Sequence, residues 1–244
     1  MNPVAIIPAR IGSTRFPRKA LAPILGEPMV CMVRRVVAET GLFARVIVAT
    51  DDTAILDAVI ASGGDAVITS PTHLSGSDRI AEVAMNLDAD IIVNVQGDEP
   101  LIDKASLQAL LDVFEDKNVS MASLMTPFTD PCQLADPNTV KVVVAANSDA
   151  LYFSRSPLPY YRDDTAQTLY YRHIGVYAYR RETLLRFVAL PPGKLELAEK
   201  LEQLRALEHG IPIRMVASSY QGIGIDTPQD LTLVESILRQ RTQR

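Results

Sequence analysis

Residues 90–100, Asp-Ile-Ile-Val-Asn-Val-Gln-Gly-Asp-Glu-Pro, constrain this chain more than any other stretch. From Ile91 to Val95 the run is apolar except for Asn94, rich in β-branched residues and without polar alternation. A strand written this way is buried on both faces, as in a parallel sheet covered by helices. Gly97 then lets the backbone turn, and Pro100 forbids further ladder pairing. Gln96, Asp98 and Glu99 are therefore expected just past the carboxyl end of a central strand, where open α/β sheets bind ligands. A lone aspartate in a loop is more often a solvated acid. After a strand this apolar, Asp98 points instead to a metal or phosphate-handling site.

The flanking pattern supports that placement. Apolar runs at 4–7, 46–49 and 66–68 read as short buried strands. They alternate with helical periodicity over 29–38, 53–61, 78–86 and 104–114. Such alternation implies right-handed βαβ crossovers and a doubly wound, mostly parallel sheet flanked by helices, an α/β fold. The second half is less regular. Strands are expected over 119–125, 140–145, 174–179 and 213–217, and a loop over 152–164 around Pro157 and Pro159. A helix is expected over 197–207, with Leu197, Leu201, Leu204 and Leu207 as its buried stripe, and a closing helix over 227–238. The change in texture near residue 130 suggests one domain over 1–244 carrying a smaller mixed lobe within about 130–195.

Composition narrows the function classes. The chain has 244 residues, 48% hydrophobic and 22% charged, enough for a sizeable core. A net charge of −5 argues against a generic nucleic-acid binder, though not against a nucleotide substrate. Cys31 and Cys132 lack partners at metal-ligand spacing, so neither a zinc site nor a disulfide framework is expected, and a reducing cytosol fits. The first apolar run is too short for a signal peptide, and no run approaches a membrane span. A soluble, cytoplasmic protein with no membrane partner is expected.

The loops carry the chemistry. Between Arg10 and Lys19 the sequence places four cations, Arg10, Arg15, Arg18 and Lys19, around a small Gly12-Ser13-Thr14 centre. Backbone N–H groups and hydroxyls there suit phosphate oxygens, with the cations neutralising them. Neither the Walker A nor the dinucleotide spacing is present. A solvated basic loop is the bland alternative; in an acidic protein, a triphosphate site is the better reading. At Ser75-Gly76-Ser77-Asp78-Arg79, Ser77 is expected to cap the following helix. That leaves the Ser75 hydroxyl and Gly76 backbone for a base, and Arg79 for an anion.

Thr227, Pro228 and Asp230 form a helix start, which leaves Asp226 as a second strand-end carboxylate beside Asp98. Together the pair suits magnesium, which takes one or two carboxylates plus phosphate oxygens and water; Asp226 as a solvated acid weighs equally. Further on, Arg155 follows two aromatics, while His173, Gly175 and Tyr177 share one strand face by period two. Glu202 and Gln203 lie off the leucine stripe. Singly each reads as structural; together they suit a hydroxylated, carboxylate-bearing substrate, with Arg155 pairing the acid.

These motifs resemble a known family. Ile6-Ile7-Pro8-Ala9-Arg10, Ser75-Gly76 with Arg79, Val93 to Pro100, Ala150 to Arg155, His173 to Tyr177, Leu201 to Arg205 and Asp226-Thr227-Pro228 are similar to those of the bacterial CMP-Kdo synthetases, the 3-deoxy-manno-octulosonate (Kdo) cytidylyltransferases. The resemblance implies a Rossmann-like nucleotidyltransferase fold and a cytoplasmic homodimer joined through the second-half lobe. The activity implied is activation of Kdo with CTP for lipopolysaccharide synthesis. It also implies nucleotide contacts from Pro8, Ala9, Arg10, Arg15, Lys19, Ser75 and Gly76, and magnesium on Asp98 and Asp226. Arg10, Lys19, Asp98 and Asp226 would be the catalytic group. Sugar contacts would come from Arg79, Gln96, Arg155, His173, Tyr177, Glu202 and Gln203.

Two departures stand out. The family's Arg-Leu-Pro-Gly-Lys-Pro-Leu reads here Arg15-Phe16-Pro17-Arg18-Lys19-Ala20-Leu21, so Arg18 occupies a glycine position, and the segment between Arg155 and His173 is short. The alternatives are a cytidylyltransferase for 8-amino-Kdo or sialic acid, and, from another class, a catalytically silent nucleotide-binding subunit.

Overall fold

The computed structural model describes residues 1–12, 16–128, 131–162 and 169–242. In chain order its elements are β1 (Pro3–Ala9), β2 (Pro23–Ile24), β3 (Glu27–Pro28), α1 (Met29–Glu39), β4 (Arg45–Thr50), α2 (Thr53–Ala61), β5 (Asp65–Ile68), α3 (Gly76–Ala84), β6 (Ile91–Asn94) and α4 (Lys104–Asp112). There follow β7 (Met121–Pro127), β8 (Lys141–Val144), β9 (Ala150–Ser154), β10 (Tyr171–Arg180), α5 (Arg181–Val188), α6 (Lys194–Glu199), α7 (Gln203–Glu208), β11 (Arg214–Ala217) and α8 (Pro228–Thr242). They divide into two compact units, residues 1–107 with those from Gly222 onward, and Gln108–Gln221. The change of texture near residue 130 thus falls inside the second unit.

The first unit carries the parallel sheet that the strand–helix alternation predicts. Its order is β6-β1-β4-β5, every pair parallel, with Ile6 facing Asn94 on one side and Ile47 on the other. The apolar runs that mark these strands are buried, including Val4 to Ile7, Ile47 to Ala49 and Ile91 to Val93. Each such side chain contributes on the order of 1.5–3 kcal/mol of burial. Helix α1 buries Met29, Val30, Met32, Val33 and Val37. From β1 the chain winds outward through β4 to β5, then returns to lay β6 on the opposite side of β1. The winding direction therefore reverses between β1 and β6. Loops leaving the carboxyl ends of these two strands diverge, and the crevice between them is where a doubly wound sheet takes its ligand.

The second unit is mixed. Strand β7 pairs β11 in parallel and β10 antiparallel, β10 pairs β8 antiparallel, and β8 pairs β9 antiparallel. Strand β10 shifts register between Ile174 and Tyr177. Three expectations need correcting here. Residues 152–154 belong to strand β9 rather than to the expected loop. The helix expected over 197–207 is two helices, α6 and α7, separated where Lys200 takes a left-handed φ of 54°. The leucine stripe breaks accordingly: Leu201 and Leu204 are buried, whereas Leu197 is 55% exposed. Helix α5, unread in the sequence, buries Thr183, Leu184 and Phe187. No helix among the described residues is long and apolar enough to cross a membrane.

Candidate active site

At the switch point the β1 and β6 loops line a hollow of about 300 Å³ with Pro8, Ala9, Arg10, Gly12, Lys19, Ala20, Met29, Gln96, Gly97, Asp98 and Asp226. Two glycines pack closely against Pro8. A β-carbon on Gly97 would lie 3.2 Å from the Pro8 carbonyl oxygen, and one on Gly76 would lie 3.3 Å from Pro8 Cγ. Both contacts are tighter than side-chain carbons normally make, so the two glycines let the β6 loop and the start of α3 close onto Pro8 from separate directions.

Lys19 is the electrostatic centre. Its Nζ donates to Asp98 Oδ2 at 2.6 Å and to Asp226 Oδ1 at 3.0 Å. Burial alone would lower the lysine's pKa. The charges and hydrogen bonds of Asp98 and Asp226 outweigh that and hold it above the usual value. The lysine is delivered by a tight turn: its amide donates to Phe16 O, and Leu21 N donates to Arg18 O. Arg18 sits in the left-handed region, φ 55° and ψ 31°. The residue at the family's glycine position thus keeps a glycine's conformation.

Asp226 reaches this cluster by a route different from the one the sequence predicts. Residues 222–226 form no strand, so Asp226 is not a strand-end carboxylate. Ile225 N donates to Asp98 O at 3.0 Å, joining the two loops directly. Asp230 Oδ2 accepts from the backbones of Asp226 and Thr227 and from the Thr227 hydroxyl, while Thr227 Oγ1 accepts from Asp230 N. These bonds draw Asp230 below its ordinary range against the opposing effect of burial. The predicted capping box therefore forms, and it also clamps the Asp226 backbone. Among the described residues no cluster of three or more His, Cys, Asp or Glu could hold a metal, so Asp98 and Asp226 are a two-carboxylate set.

A second hollow of about 200 Å³ adjoins the first through shared Pro8, Ala9, Arg10 and Gln96, and adds His73, Leu74, Ser75, Gly76 and Arg79. Here the capping expectation changes. Ser75, not Ser77, caps α3: Ser75 Oγ accepts from Asp78 N and donates to Asp78 Oδ2, which also accepts from Ser75 N. Ser77 is buried instead. Arg79 is likewise committed. Only 4% exposed, it donates to Asp51 Oδ2 at 2.8 Å and Thr69 Oγ1 at 2.6 Å, a buried brace between α3 and the ends of β4 and β5. Gln96 Nε2 donates to Asn94 Oδ1. Arg15 lies outside the described residues.

The remaining sequence-nominated residues lie in the second unit. His173 Nε2 is 3.0 Å from Ser123 Oγ, and its ring lies 5.4 Å from that of Tyr177 and 5.0 Å from that of Phe153. Burial, with Arg172 nearby, pushes the imidazole down to about 3 and keeps it neutral; burial likewise drives the Tyr177 phenol well up. The shared strand face predicted for these two rings is present despite the bulge. Arg155 does not present a free guanidinium. Nε donates to Glu199 O, Nη1 to Pro137 O and Nη2 to Lys200 O, while Glu199 takes Ser154 Oγ and Arg155 N. Gln203 is buried at the start of α7, directly after Glu202.

Sequence reasoning named Gly12 in the phosphate loop but passed over Ala20 and Met29 in the first hollow, and His73 and Leu74 in the second. His73, whose Nε2 contacts a Glu82 carboxylate oxygen, stands two residues before the Ser75 cap; a histidine beside a helix start lining a strand-end crevice was the available signal.

Comparison with known proteins gives the family and the fold. Residues 4–215 match the family described as cytidylyltransferase. The chain is 51% identical to the 3-deoxy-manno-octulosonate cytidylyltransferase of Geobacter metallireducens, over 98% of this chain and 99% of that one. It is also 51% identical to the enzyme of that name from Myxococcus xanthus, over 98% and 97%. A solved structure of CMP:2-keto-3-deoxy-manno-octonic acid synthetase complexed with CTP superposes with a TM-score of 0.94 at 42% identity, covering 99% of this chain and 100% of that chain. The 4-diphosphocytidyl-2C-methyl-D-erythritol synthase of Anaerococcus prevotii, at TM-score 0.65 and 15% identity over 98% of both chains, shares the fold.

Proposed function

The chain belongs to the 3-deoxy-manno-octulosonate cytidylyltransferase family, and from that premise we propose that it transfers the cytidylyl group of CTP to Kdo and releases pyrophosphate. The observation that carries the reading is the cluster of one ammonium and two carboxylates at the mouth of the β1/β6 crevice. In this reaction the anomeric oxygen of the sugar bonds to the α-phosphorus as the bond to pyrophosphate breaks. What the protein must supply is alignment and neutralisation of charge on the phosphoryl oxygens. Arg10, exposed beside the hollow, and Lys19 are the cations for that work.

The second hollow suits the base. Because the Ser75 hydroxyl hydrogen is committed to Asp78, its oxygen has only an acceptor left to offer. Cytosine presents an exocyclic amine donor where uracil presents an acceptor, so this serine favours cytidine.

Magnesium belongs to the same reading. Asp98 and Asp226 already converge on one cation through hard carboxylate oxygens, and magnesium needs no more than one or two such ligands beside phosphate oxygens and water. Those two residues would hold it. When bound it would offset charge on the phosphates and acidify the attacking hydroxyl.

On the sugar side, a neutral His173 and a protonated Tyr177 offer uncharged hydrogen bonding to hydroxyls, with Glu202 and Gln203 as further polar candidates. Arg155 is reassigned. Tied to three carbonyls, it braces the Glu199–Lys200 stretch that leads into Glu202 and Gln203, rather than pairing the sugar's carboxylate. A homodimer working in the cytoplasm ahead of lipopolysaccharide assembly completes the reading and rests on the family resemblance.

The test is pyrophosphate release from CTP and magnesium with Kdo, 8-amino-Kdo or N-acetylneuraminate, for wild type and Asp98→Asn. We expect release with Kdo and a loss of roughly 1,000-fold in the variant, the scale for removing one preorganised charge-stabilising group. Release only with another sugar acid would overturn the substrate, and CTP binding without turnover would return the silent-subunit alternative.

A further inference from the structure

Lys19 occupies the space between the two carboxylates assigned to the metal. Its Nζ lies 2.6 Å from Asp98 Oδ2 and 3.0 Å from Asp226 Oδ1, and two oxygens sharing one nitrogen so closely leave no room between them for a second cation. The side chain is only 19% exposed, and its turn is fixed by the bonds from Lys19 N to Phe16 O and from Leu21 N to Arg18 O. Asp226 is fixed from the other side by Asp230 and by the contact of Ile225 with Asp98 O. The ammonium is the one partner in this trio on a long, jointed side chain, so it is the group able to leave.

Resting on the reading of this hollow as a triphosphate site, we propose that Lys19 is a resident counter-ion that bars divalent cations from Asp98 and Asp226 until a triphosphate draws its ammonium away. Nucleotide and metal then bind with positive coupling, each raising the affinity of the other by the same factor. The carboxylates are spared mutual repulsion in the empty site, and an adventitious cation gains little by entering alone.

The test titrates nucleotide-free protein with Mn²⁺, reading unbound Mn²⁺ by electron paramagnetic resonance. Wild type should bind weakly. Lys19→Met should bind roughly tenfold more tightly or better, since a full positive charge has left the ligand pair. Lys19→Arg, which keeps the charge, should remain weak, and Asp226→Asn added to Lys19→Met should abolish the gain. Lys19→Met binding no tighter than wild type, or Lys19→Arg binding as tightly as Lys19→Met, overturns the proposal.

Should Lys19→Met not fold, ¹⁵N-lysine NMR of the wild type decides. The Lys19 Nζ resonance should persist with Mg²⁺ alone and move when CTP is added with it; movement with Mg²⁺ alone at the same concentration overturns the proposal. Pyrophosphate release from the same wild-type preparation keeps the two readings separable. Turnover without the Mn²⁺ gain defeats the counter-ion and spares the enzyme, and the gain without turnover does the reverse.

Discussion

Lys19 in the first unit and Arg155 in the second are both cations outside the sheet strands, and sequence reasoning reads both as substrate ligands. Their partners separate them. Lys19 binds two side-chain carboxylates that can take another cation in its place. Arg155 binds three backbone carbonyls and is itself tied to Lys141, whose buried ammonium donates to Arg155 O and Asp136 O. Of these carbonyls Glu199 O is part-buried and, if abandoned, loses its partner at a cost of about 1–3 kcal/mol, whereas Pro137 O and Lys200 O are exposed to water. A carboxylate near a substrate cation or metal has a replacement at hand. Cations held by carboxylates are therefore positioned to exchange during a reaction cycle, and cations held by carbonyls are positioned to hold the fold.

The sharpest way to break this contrast is Arg155→Ala. It removes charge-assisted bonds to the carbonyls of Glu199, Pro137 and Lys200, the first part-buried and the other two exposed, so we expect a loss of about 2 kcal/mol in unfolding free energy, measured by urea denaturation with the slope unchanged. Activity should fall with stability through the displaced Glu202–Gln203 stretch. A variant of wild-type stability whose KM for the sugar alone rises would restore Arg155 as a substrate ligand and end the contrast.

The two regions also differed in how far they could be read beforehand. The first unit was legible because parallel strands buried on both faces write themselves as unbroken apolar runs, and Asp98 follows one of them. Asp226 was identified as the second carboxylate, but its means of support was not. A hydrogen bond from Ile225 to the Asp98 carbonyl is a tertiary fact without a local signature. Ser75 was misjudged although its signal was present: Asp78 stands three residues on, the spacing of a capping box.

In the second unit, Leu197, Leu201, Leu204 and Leu207 keep helical spacing across a break that no glycine or proline marks. Arg155 bonds Glu199 O and Lys200 O at the same point where Lys200 turns left-handed, a long-range contact with no local signature in the sequence. Strand β9 was hidden for a similar reason, since its antiparallel partner β8 supplies the pairing that Tyr152 and Phe153 alone do not announce.

Ser75→Ala sharpens the comparison on the first unit at a smaller scale. Losing the α3 cap should cost about 1 kcal/mol, less than Arg155→Ala. The same change removes the acceptor proposed to meet the base, so the preference for CTP over UTP in pyrophosphate release should narrow. Unchanged discrimination with the expected stability loss would reduce Ser75 to a cap alone.

The smallest effect is expected at Arg18, where the backbone already adopts what the residue type resists. At φ 55° and ψ 31° an arginine bears a left-handed penalty of about 1 kcal/mol that glycine escapes. Glycine also loses more freedom on folding, which offsets part of the gain. Arg18→Gly should therefore stabilise by about 0.5 kcal/mol, seen as a small rise in the urea midpoint at constant slope. The turn that delivers Lys19 is held by backbone bonds from Lys19 N to Phe16 O and Leu21 N to Arg18 O, neither of which involves the Arg18 side chain. The nucleotide-free Mn²⁺ affinity should therefore stay at the wild-type level. A fall in stability would mean that the exposed arginine contributes more than its strained backbone costs. Tighter Mn²⁺ binding would mean that Arg18 shares with Lys19 the task of repelling cations from the carboxylate pair.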